Sequence, residues 1–403
     1  MKRYVIVGAG LRCYTMFVEH LTERYRDTVA LTGVYDPNRT RCEYFRKKVG
    51  DGMTVYDDFE TMLETEKPDG VIVSTTDNTH HEYIIRALDK GYDVICEKPI
   101  TNTFDRCLAI REGERRSGKQ VTVTFNCRFM PHFAKLKELL AGGIVGKVHA
   151  INYEYCLDRV HGGDYFKRWH RKMEFSQGML LHKSTHHFDI INWLLDDEPR
   201  QVNALGMRSF YADAEKSAAH RCTACPIRET CTSAGSWNAA SSHEVYYAAE
   251  HEDGYIRDTC SFLPDADIYD NLSVSVRYNK GTLLTYSLNL FSIHEGYRIC
   301  VTGETGVLTL ESWDNDGSDE YVFRILRADK STETIAIKKS DGAHAGGDER
   351  LIDMIFGDLK EDALGQCADS FAGFSSAIIG IGANKCMAEG CTVDLKPLLD
   401  KLR

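Results

Sequence analysis

The chain has 403 residues, of which 43% are hydrophobic and 27% are charged, and its formal net charge is −11. This length favours about two to three domains over a single core, and the composition is that of a globular chain rather than a disordered one. The acidic balance argues against nucleic acid or an anionic membrane surface as a partner, and it leaves small neutral molecules such as sugars or alcohols open.

The opening stretch "MKRYVIVGAG" does not have the pattern of a signal peptide, because its apolar run is only a few residues long and leads into a glycine turn. No apolar run in the sequence reaches the length of a membrane span. We therefore expect a cytoplasmic protein, in which the 14 cysteines are reduced thiols or metal ligands rather than disulfides.

Short apolar runs alternate with helix-like stretches in residues 1–126. The runs are "YVIV" (4–7), "VALTGVYD" (29–36), "GVIVSTT" (70–76), "DVICEKP" (93–99) and "QVTVTF" (120–125). Strands that alternate with helices predict a doubly wound parallel sheet of the Rossmann type, and hence an α/β domain.

A glycine motif, Gly8-x-Gly10-x-x-Cys13, follows the first strand and opens a helix. Gly8 permits the tight turn, and Gly10 lets a pyrophosphate approach the backbone at the helix N-terminus. Asp36 closes the second strand roughly 20 residues after the loop, where a carboxylate accepts hydrogen bonds from the adenosine ribose hydroxyls. The motif predicts NAD; NADP is the second choice, because Arg39 could neutralise a 2′-phosphate. The competing interpretation is a glycine turn and a capping Asp in another kind of α/β domain.

The stretch "GYDVICEKPI" (91–100) places Glu-Lys-Pro at the end of a strand, and "STTDNTHHEYIIRALDKG" (74–91) and "FNCRFMP" (125–131) flank it. These three stretches resemble the glucose–fructose oxidoreductase / inositol dehydrogenase / MocA (Gfo/Idh/MocA) family, and the resemblance covers nearly the whole chain. It implies a second, α+β domain over 127–403 with a large, open-faced, mostly antiparallel sheet. The alternating runs at 272–278 and 281–290 suit such a sheet. The resemblance also implies a homo-oligomer, either a dimer or a tetramer.

The same resemblance implies the catalytic groups. Lys98 of the Glu-Lys-Pro motif would point at the substrate hydroxyl. The stretch "GMLLHKSTHHFD" (178–189) is similar to the family's second motif, in which His186 falls on the general base. His182 stands where many members have aspartate, and Ser184 stands where many have glycine. We therefore predict a subgroup with His-Lys in place of the usual Asp, in which His182 is a third catalytic residue.

His182 and His186 are also four residues apart, which is the spacing of a zinc-binding helix. A zinc hydrolase would supply a Glu beside the first His, whereas this chain has Lys183, whose positive charge disfavours a divalent metal. The histidine pair is therefore predicted to flank a nicotinamide rather than a metal.

The predicted ligand contacts form two sets. The cofactor set is Gly8, Gly10, Leu11, Arg12, Asp36, Arg39, Thr76, Asn78, His80, Glu97, Lys98 and Asn126. The substrate set is Tyr165, Arg168, His170, Asp189, His344 and Asp348. In the loop 159–172, aromatic faces suit C–H surfaces while Arg and His suit hydroxyls. The competing interpretations are a basic surface loop there and, for Asp348, a helix cap.

A polar region at about 209–268 looks inserted into the second domain and carries four cysteines, Cys222, Cys225, Cys231 and Cys260. Four reduced thiols could hold a structural zinc, which would stabilise a segment without its own core. An iron–sulfur cluster and free thiols are the two alternatives.

The leading functional hypothesis is an NAD-dependent oxidoreductase that transfers hydride between nicotinamide and a ring hydroxyl of a sugar, sugar derivative or cyclitol. The second is a redox-neutral glycoside hydrolase or lyase that keeps NAD bound and works through a transient keto-sugar, with His182 as the additional acid. The third is a cofactor-bound sensor or scaffold without enzymatic activity.

Overall fold

A computed structural model of the chain describes residues 1–235, 240–314, 316–357 and 361–403. Two sheets organise these residues, one of seven strands and one of nine. In chain order the strands are β1 (Lys2–Val7), β2 (Val29–Tyr35), β3 (Thr54–Tyr56), β4 (Gly70–Val73), β5 (Asp93–Cys96), β6 (Val121–Val123), β7 (Val148–Asp158), β8 (Pro199–Met207), β9 (Asn271–Tyr278), β10 (Leu283–Ser292), β11 (Gly296–Gly303), β12 (Gly306–Trp313), β13 (Glu320–Arg327), β14 (Thr332–Lys338), β15 (Ala368–Asp369) and β16 (Val393–Asp394).

The seven-stranded sheet has the order β15-β6-β5-β4-β1-β2-β3. Strands β1 to β6 pair in parallel, whereas β15 joins the edge antiparallel to β6. All four residues of β4 are buried, as expected for a central strand that is covered on both faces. The sheet is the doubly wound Rossmann-type sheet that the sequence predicts.

Helices cover both faces of this sheet: α1 (Leu11–Cys13), which continues through a π-helical turn (Tyr14–Val18) into α2 (Glu19–Arg24), then α3 (Arg39–Val49), α4 (Phe59–Glu66), α5 (His80–Asp89) and α6 (Phe104–Ser117). Three of them begin with a side chain that accepts a hydrogen bond from a free amide of the first turn. These capping residues are Asn38, Asp58 and Thr103. The caps fix where the helices start, and therefore fix the loops that follow the strands.

The nine-stranded sheet has the order β14-β13-β12-β11-β7-β10-β9-β8-β16. Only β7 and β10 pair in parallel among its described strands; the other neighbours are antiparallel. Burial alternates strictly along β9, so one face of the sheet is covered and the other is open. The predicted fold class, a Rossmann domain with a second domain built on a large open-faced sheet, is confirmed.

The remaining helices are α7 (Pro131–Ala141), α8 (Arg159–Tyr165), α9 (Met173–Ser176), α10 (Met179–His182), α11 (Thr185–Leu195), α12 (Ala240–Val245), α13 (Glu250–Asp253), α14 (Gly347–Phe356), α15 (Ser370–Glu389) and α16 (Lys396–Leu402). Helices α11 and α15 pack against each other on the covered face of the nine-stranded sheet. No helix in the described ranges is both long enough and apolar enough to cross a membrane.

In its described residues, 209–235 and 240–268, the cysteine-rich insertion consists of short helical turns and loops. An isolated bridge joins Arg221 to Thr259, and the Arg221 guanidinium also pairs with Glu250 and Asp258. Polar contacts therefore hold much of this segment together. The predicted division of domains at residue 126 stays a prediction. The strand β15, which comes from residues 368–369, pairs with the edge of the first sheet.

Candidate active site

A cavity of about 310 Å³ lies where the carboxyl ends of β1, β4 and β5 face the second domain. Ligand sites of open α/β sheets form at this edge. The cavity is lined by Gly10, Leu11, Arg12, Ser74, Thr75, Asp77, His80, Glu97, Lys98, His161, Tyr165, Arg168, Trp169, His170, His182, Lys183, His186, Tyr246, Arg257 and His344.

The glycine loop has the geometry of a pyrophosphate cradle. Gly8 has φ +94°, and a Cβ there would lie 2.4 Å from the carbonyl oxygen of Ser74, so a side chain is excluded on both counts. A Cβ on Gly10 would meet the Tyr246 hydroxyl at 3.7 Å, on the cavity side of the loop. The Leu11 amide stands at the start of α1. The two glycines fit the diphosphate of a dinucleotide, which would have to displace the Tyr246 hydroxyl that the Leu11 amide binds at 3.1 Å.

Asp36 follows β2, as predicted, and receives hydrogen bonds from two backbone amides, those of Ala9 and Asn38, each at 2.8 Å. Because each carboxylate oxygen can accept a second bond, ribose hydroxyls remain compatible with this position. Arg39 is not available to neutralise a 2′-phosphate, because its guanidinium pairs with Asp57 and Glu43.

Five of the predicted ligand residues form one polar network beside the loop. Arg12 contacts Glu97 and Asp348, each at 2.9 Å, while the amide of Asn126 and the ring of His344 also bind Asp348. Although burial raises the pKa of Asp348, the His344 hydrogen bond and the Arg12 charge hold it well below its usual range. Asp348 is not among the described lining residues of the cavity, and its contacts make it an anchor for Arg12 rather than a substrate ligand.

The segment after β4 is held by its own polar contacts. Thr76 donates to Asn78 at 2.8 Å, and neither residue is among the described lining residues. The ring nitrogens of His80 lie 2.8 Å from the Pro99 carbonyl oxygen and 3.2 Å from that of Thr75. His80 thereby joins the ends of β4 and β5, and burial lowers its pKa.

Lys98, His182 and Asp77 form the centre of the cavity. The Lys98 ammonium donates to the carbonyl oxygen of His182 at 3.3 Å, and Nδ1 of His182 lies 2.6 Å from the Asp77 carboxylate. Burial lowers the pKa of Lys98 to about 8, while Asp77 and Glu97 act in the opposite direction. Burial also raises the pKa of Asp77 and lowers that of His182. The hydrogen bond to Asp77 fixes the orientation of the His182 ring in the cavity.

His186 lies in α11, the helix after the one that ends at His182, and also lines the cavity. Its ring is buried against the edge of Phe125, and its Nδ1 has no hydrogen-bond partner among the described residues. Burial and the positive charges of Lys98 and Lys183 hold the pKa of His186 well below its usual value. A neutral imidazole with a free ring nitrogen can accept a proton.

The predicted aromatic loop lines the opposite wall. His170 stacks on Trp169 with ring centroids 3.7 Å apart and approaches the His182 ring at 4.1 Å. Tyr165 approaches the same ring at 5.7 Å, and Arg168 pairs with Asp164 while lying over Tyr165. The structure thus brings Tyr165, Arg168 and His170 together around His182.

Two residues near the catalytic motif face elsewhere. Asp189 forms a buried bidentate ion pair with Arg128, at 2.6 and 2.8 Å, and is not among the described cavity-lining residues. His187 binds the Tyr286 hydroxyl at 2.7 Å and stacks on Tyr155. The expectation that Asp189 contacts substrate is corrected: its carboxylate neutralises a buried arginine, which would otherwise be costly.

Eight lining residues were absent from the predicted site: Ser74, Thr75, Asp77, His161, Trp169, Lys183, Tyr246 and Arg257. Asp77 directly follows the fourth strand in "STTD", so its position at a strand end was a usable signal. Lys183 neighbours His182 and lies over the Tyr155 ring at 5.4 Å. Tyr246 and Arg257 come from the insertion, and nothing in the sequence indicates that this segment returns to the site.

The four cysteines of the insertion line one small cavity, together with residues such as Ile227 and Phe262. Nevertheless, no group of three or more His, Cys, Asp or Glu side chains within the described ranges is arranged to hold a metal ion. All fourteen cysteines lie in those ranges as free thiols. Burial raises the pKa of Cys222 to about 11, which disfavours the thiolate that binds metal. The structure therefore does not support the predicted zinc at Cys222, Cys225, Cys231 and Cys260, nor an iron–sulfur cluster.

Two family models match the chain. One, described as an oxidoreductase family with an NAD-binding Rossmann fold, matches residues 2–125, and the other, its C-terminal alpha/beta domain, matches residues 137–395. Together they cover most of the sequence, and with the fold and the glycine loop they define an NAD-binding oxidoreductase. The chain belongs to the Gfo/Idh/MocA family, as the resemblance implied.

Over 99% of its length the chain is 33% identical to "Putative oxidoreductase YteT" of Bacillus subtilis (strain 168), with 99% of that protein covered. It is 32% identical to "Inositol 2-dehydrogenase 4" of Saccharopolyspora erythraea, over 51% of this chain and 58% of that protein. An oxidoreductase from Agrobacterium radiobacter, solved in complex with NAD+, L-tartaric acid and magnesium, superposes with a TM-score of 0.69 at 14% identity, covering 98% of this chain and 99% of that one. At that identity the likeness shows the fold alone.

Proposed function

We propose that this protein is an NAD-dependent dehydrogenase acting on a ring hydroxyl of a sugar, sugar derivative or cyclitol. The observation that carries the proposal is the meeting of Lys98, His182 and His186 in one cavity with the glycine loop. The similarity to an inositol dehydrogenase over half of the chain adds support for a polyhydroxylated ring as substrate.

The glycine loop, Leu11 and Asp36 would hold NAD, which accepts a hydride from the carbinol carbon when it is bound. The polar wall around Arg168 and His170 suits hydroxyl groups, and the Tyr165 and Trp169 rings suit the C–H faces of a ring. A small neutral polyol therefore matches the lining on both counts.

His186 would act as the general base that takes the hydroxyl proton during oxidation. Its lowered pKa keeps the imidazole neutral, and the residue lines the same cavity as Lys98. A weakly basic imidazole releases this proton readily. His182, held by Asp77, would orient a second hydroxyl through Nε2.

Lys98 would donate a hydrogen bond to the reacting oxygen. With a pKa of about 8, the ammonium and the amine are both populated near neutral pH. The group can therefore stabilise a developing alkoxide and also pass the proton on, which is the behaviour expected of a tuned acid–base lysine.

The redox-neutral glycoside cleavage considered above uses the same groups, with His182 as acid. The relatives named above are an oxidoreductase and a dehydrogenase, which favours net redox chemistry over cleavage. Net oxidation is the function that the geometry supports best.

The test follows absorbance over time in a mixture of protein, NAD, free sugars, cyclitols and nitrophenyl glycosides. Growth of NADH without released nitrophenol is the expected result and would identify the substrate. Nitrophenol release that depends on NAD without lasting NADH would instead assign redox-neutral cleavage. Tight NAD binding without turnover of any compound would favour a sensor or scaffold.

A further inference from the structure

The cysteine-rich insertion lies against the end of the Rossmann domain that would receive the cofactor. The Leu11 amide donates to the Tyr246 hydroxyl at 3.1 Å, and the Asn38 side chain donates to the carbonyl of Ala249 at 2.9 Å. Arg41 pairs with Asp253 at 2.8 Å. The segment 244–253 therefore spans from the pyrophosphate loop to the start of α3.

Glu252 occupies the most informative position in this contact. Its carboxylate accepts hydrogen bonds from the Arg39 amide at 2.6 Å and the Thr40 amide at 2.9 Å, and the Thr40 hydroxyl donates to it as well. These hydrogen bonds lower the pKa of Glu252 and keep it ionised. Two amides and a hydroxyl at a helix N-terminus are donors that a phosphate group would otherwise take.

The position of these donors in the fold suggests which group of a dinucleotide they would meet. They begin three residues after Asp36, the carboxylate positioned for the ribose hydroxyls, so they stand where a 2′-phosphate would enter. Arg39 is directed to Asp57 and Glu43 instead of this position. For a 2′-phosphate, the amides of Arg39 and Thr40 would therefore already be occupied by Glu252. The carboxylates of Glu252 and Asp36 would lie beside the phosphate and repel it.

We propose that Glu252, supplied by the insertion, is a specificity-determining residue that selects NAD(H) against NADP(H) by filling the 2′-phosphate position at the N-terminus of α3. The inference rests on the proposed function. It assigns the insertion a role in cofactor choice, over a separation of 212 residues between Thr40 and Glu252.

The test measures dissociation constants of NADH and NADPH by calorimetry and by the fluorescence of the bound reduced nicotinamide. Wild type is expected to prefer NADH. Glu252→Gln removes the charge but keeps an acceptor for the amides, and Glu252→Ala empties the position. Each should tighten NADPH binding by about tenfold or more while changing NADH binding by less than about threefold.

Glu244→Gln is the matched control, because Glu244 belongs to the same segment but contacts α3 through the Lys47 side chain. It should leave both constants unchanged. If the Glu252 variants weaken NADH and NADPH alike, Glu252 only anchors the insertion and the proposal is wrong. Wild type that binds NADPH as tightly as NADH also overturns it. Failure of wild type to bind either dinucleotide overturns the proposed function as well.

Discussion

Two cavities of this molecule collect reactive side chains, and they differ in how the chain builds them. The cysteine cavity is assembled from Cys222, Cys225 and Cys231, which are neighbours in sequence, together with Cys260, and its volume is about 10 Å³, close to the space of a single water. The catalytic cavity is about 310 Å³ and draws its groups from strand ends, two helices and the insertion. The cysteines, three of them neighbours in sequence, share a space for about one water, whereas residues from distant strand ends and loops line a cavity with room for a ligand.

The largest effect that would test this difference between the two cavities is expected from removing the amine of Lys98. Lys98→Met should lower kcat by about 10²–10⁴-fold, because the variant keeps a side chain of similar length but loses the proton-transfer group. Steady-state kinetics on the substrate identified above would measure the loss, and calorimetry should show retained NAD binding. Lys119→Met, just before β6 and paired with Asp93, is the control. Equal kcat in the two variants would remove Lys98 from the chemistry.

A smaller loss is expected from Asp77→Asn. The amide cannot hold His182 as the carboxylate does, so the imidazole loses its fixed orientation and kcat/KM should fall by about 10–100-fold. Asp57→Asn serves as a comparison, since Asp57 is an exposed partner of Arg39. Unaltered kinetics in Asp77→Asn would show that the hydrogen bond to His182 does not matter for turnover.

The pH dependence of oxidation tests whether Lys98 is the group that titrates. Below its pKa of about 8 the lysine is protonated and cannot receive the proton that His186 takes from the hydroxyl, so kcat/KM for oxidation should rise with pH up to about 8 and then level off. Reduction of the ketone needs the ammonium and should weaken above the same pH. His186 titrates far below this range, so a wild-type profile that is flat between pH 6 and about 9 would contradict the assignment.

The smallest effects are expected at the second cavity. A Cys222→Ser and Cys225→Ser double variant should keep kcat within about twofold, because these thiols touch no residue of the reaction. A metal chelator should likewise leave Tm unchanged to within about 1 °C, since a bound structural zinc would contribute strongly to stability. A clear drop of Tm with chelator, together with stoichiometric zinc in the purified protein, would reverse the conclusion about the cysteines.

Much of the architecture could be predicted because it depends on local patterns. Short apolar runs gave the parallel strands, and the turn residues Gly8 and Gly10 gave the cofactor loop. Lys98 was singled out by the resemblance of its Glu-Lys-Pro motif to the Gfo/Idh/MocA family, and its catalytic role stays a prediction. The strands and the glycine turn needed only the period of the apolar residues and the geometry of parallel sheets.

The rest depends on contacts between distant parts of the chain. Asp77 and His182 are 105 residues apart, and no periodicity links them. Asp189 sits in a motif beside His186, yet it turns toward Arg128 because burial demands that both charges be neutralised. The contact between the insertion and α3 could not be predicted either. The sequence of the insertion is polar and irregular, and it has no periodic apolar residues that would indicate a buried surface.

The strand β15 has a consequence for synthesis on the ribosome. It supplies the outer edge of the Rossmann sheet with residues 368–369, and Ser370 then donates to the buried carboxylate of Glu114. While the chain is being made, β6 therefore emerges with an unpaired edge and stays open until nearly all of the polypeptide has been translated. An open strand edge can pair with other chains. The protein is therefore most prone to aggregate while the first domain has been made and β15 has not.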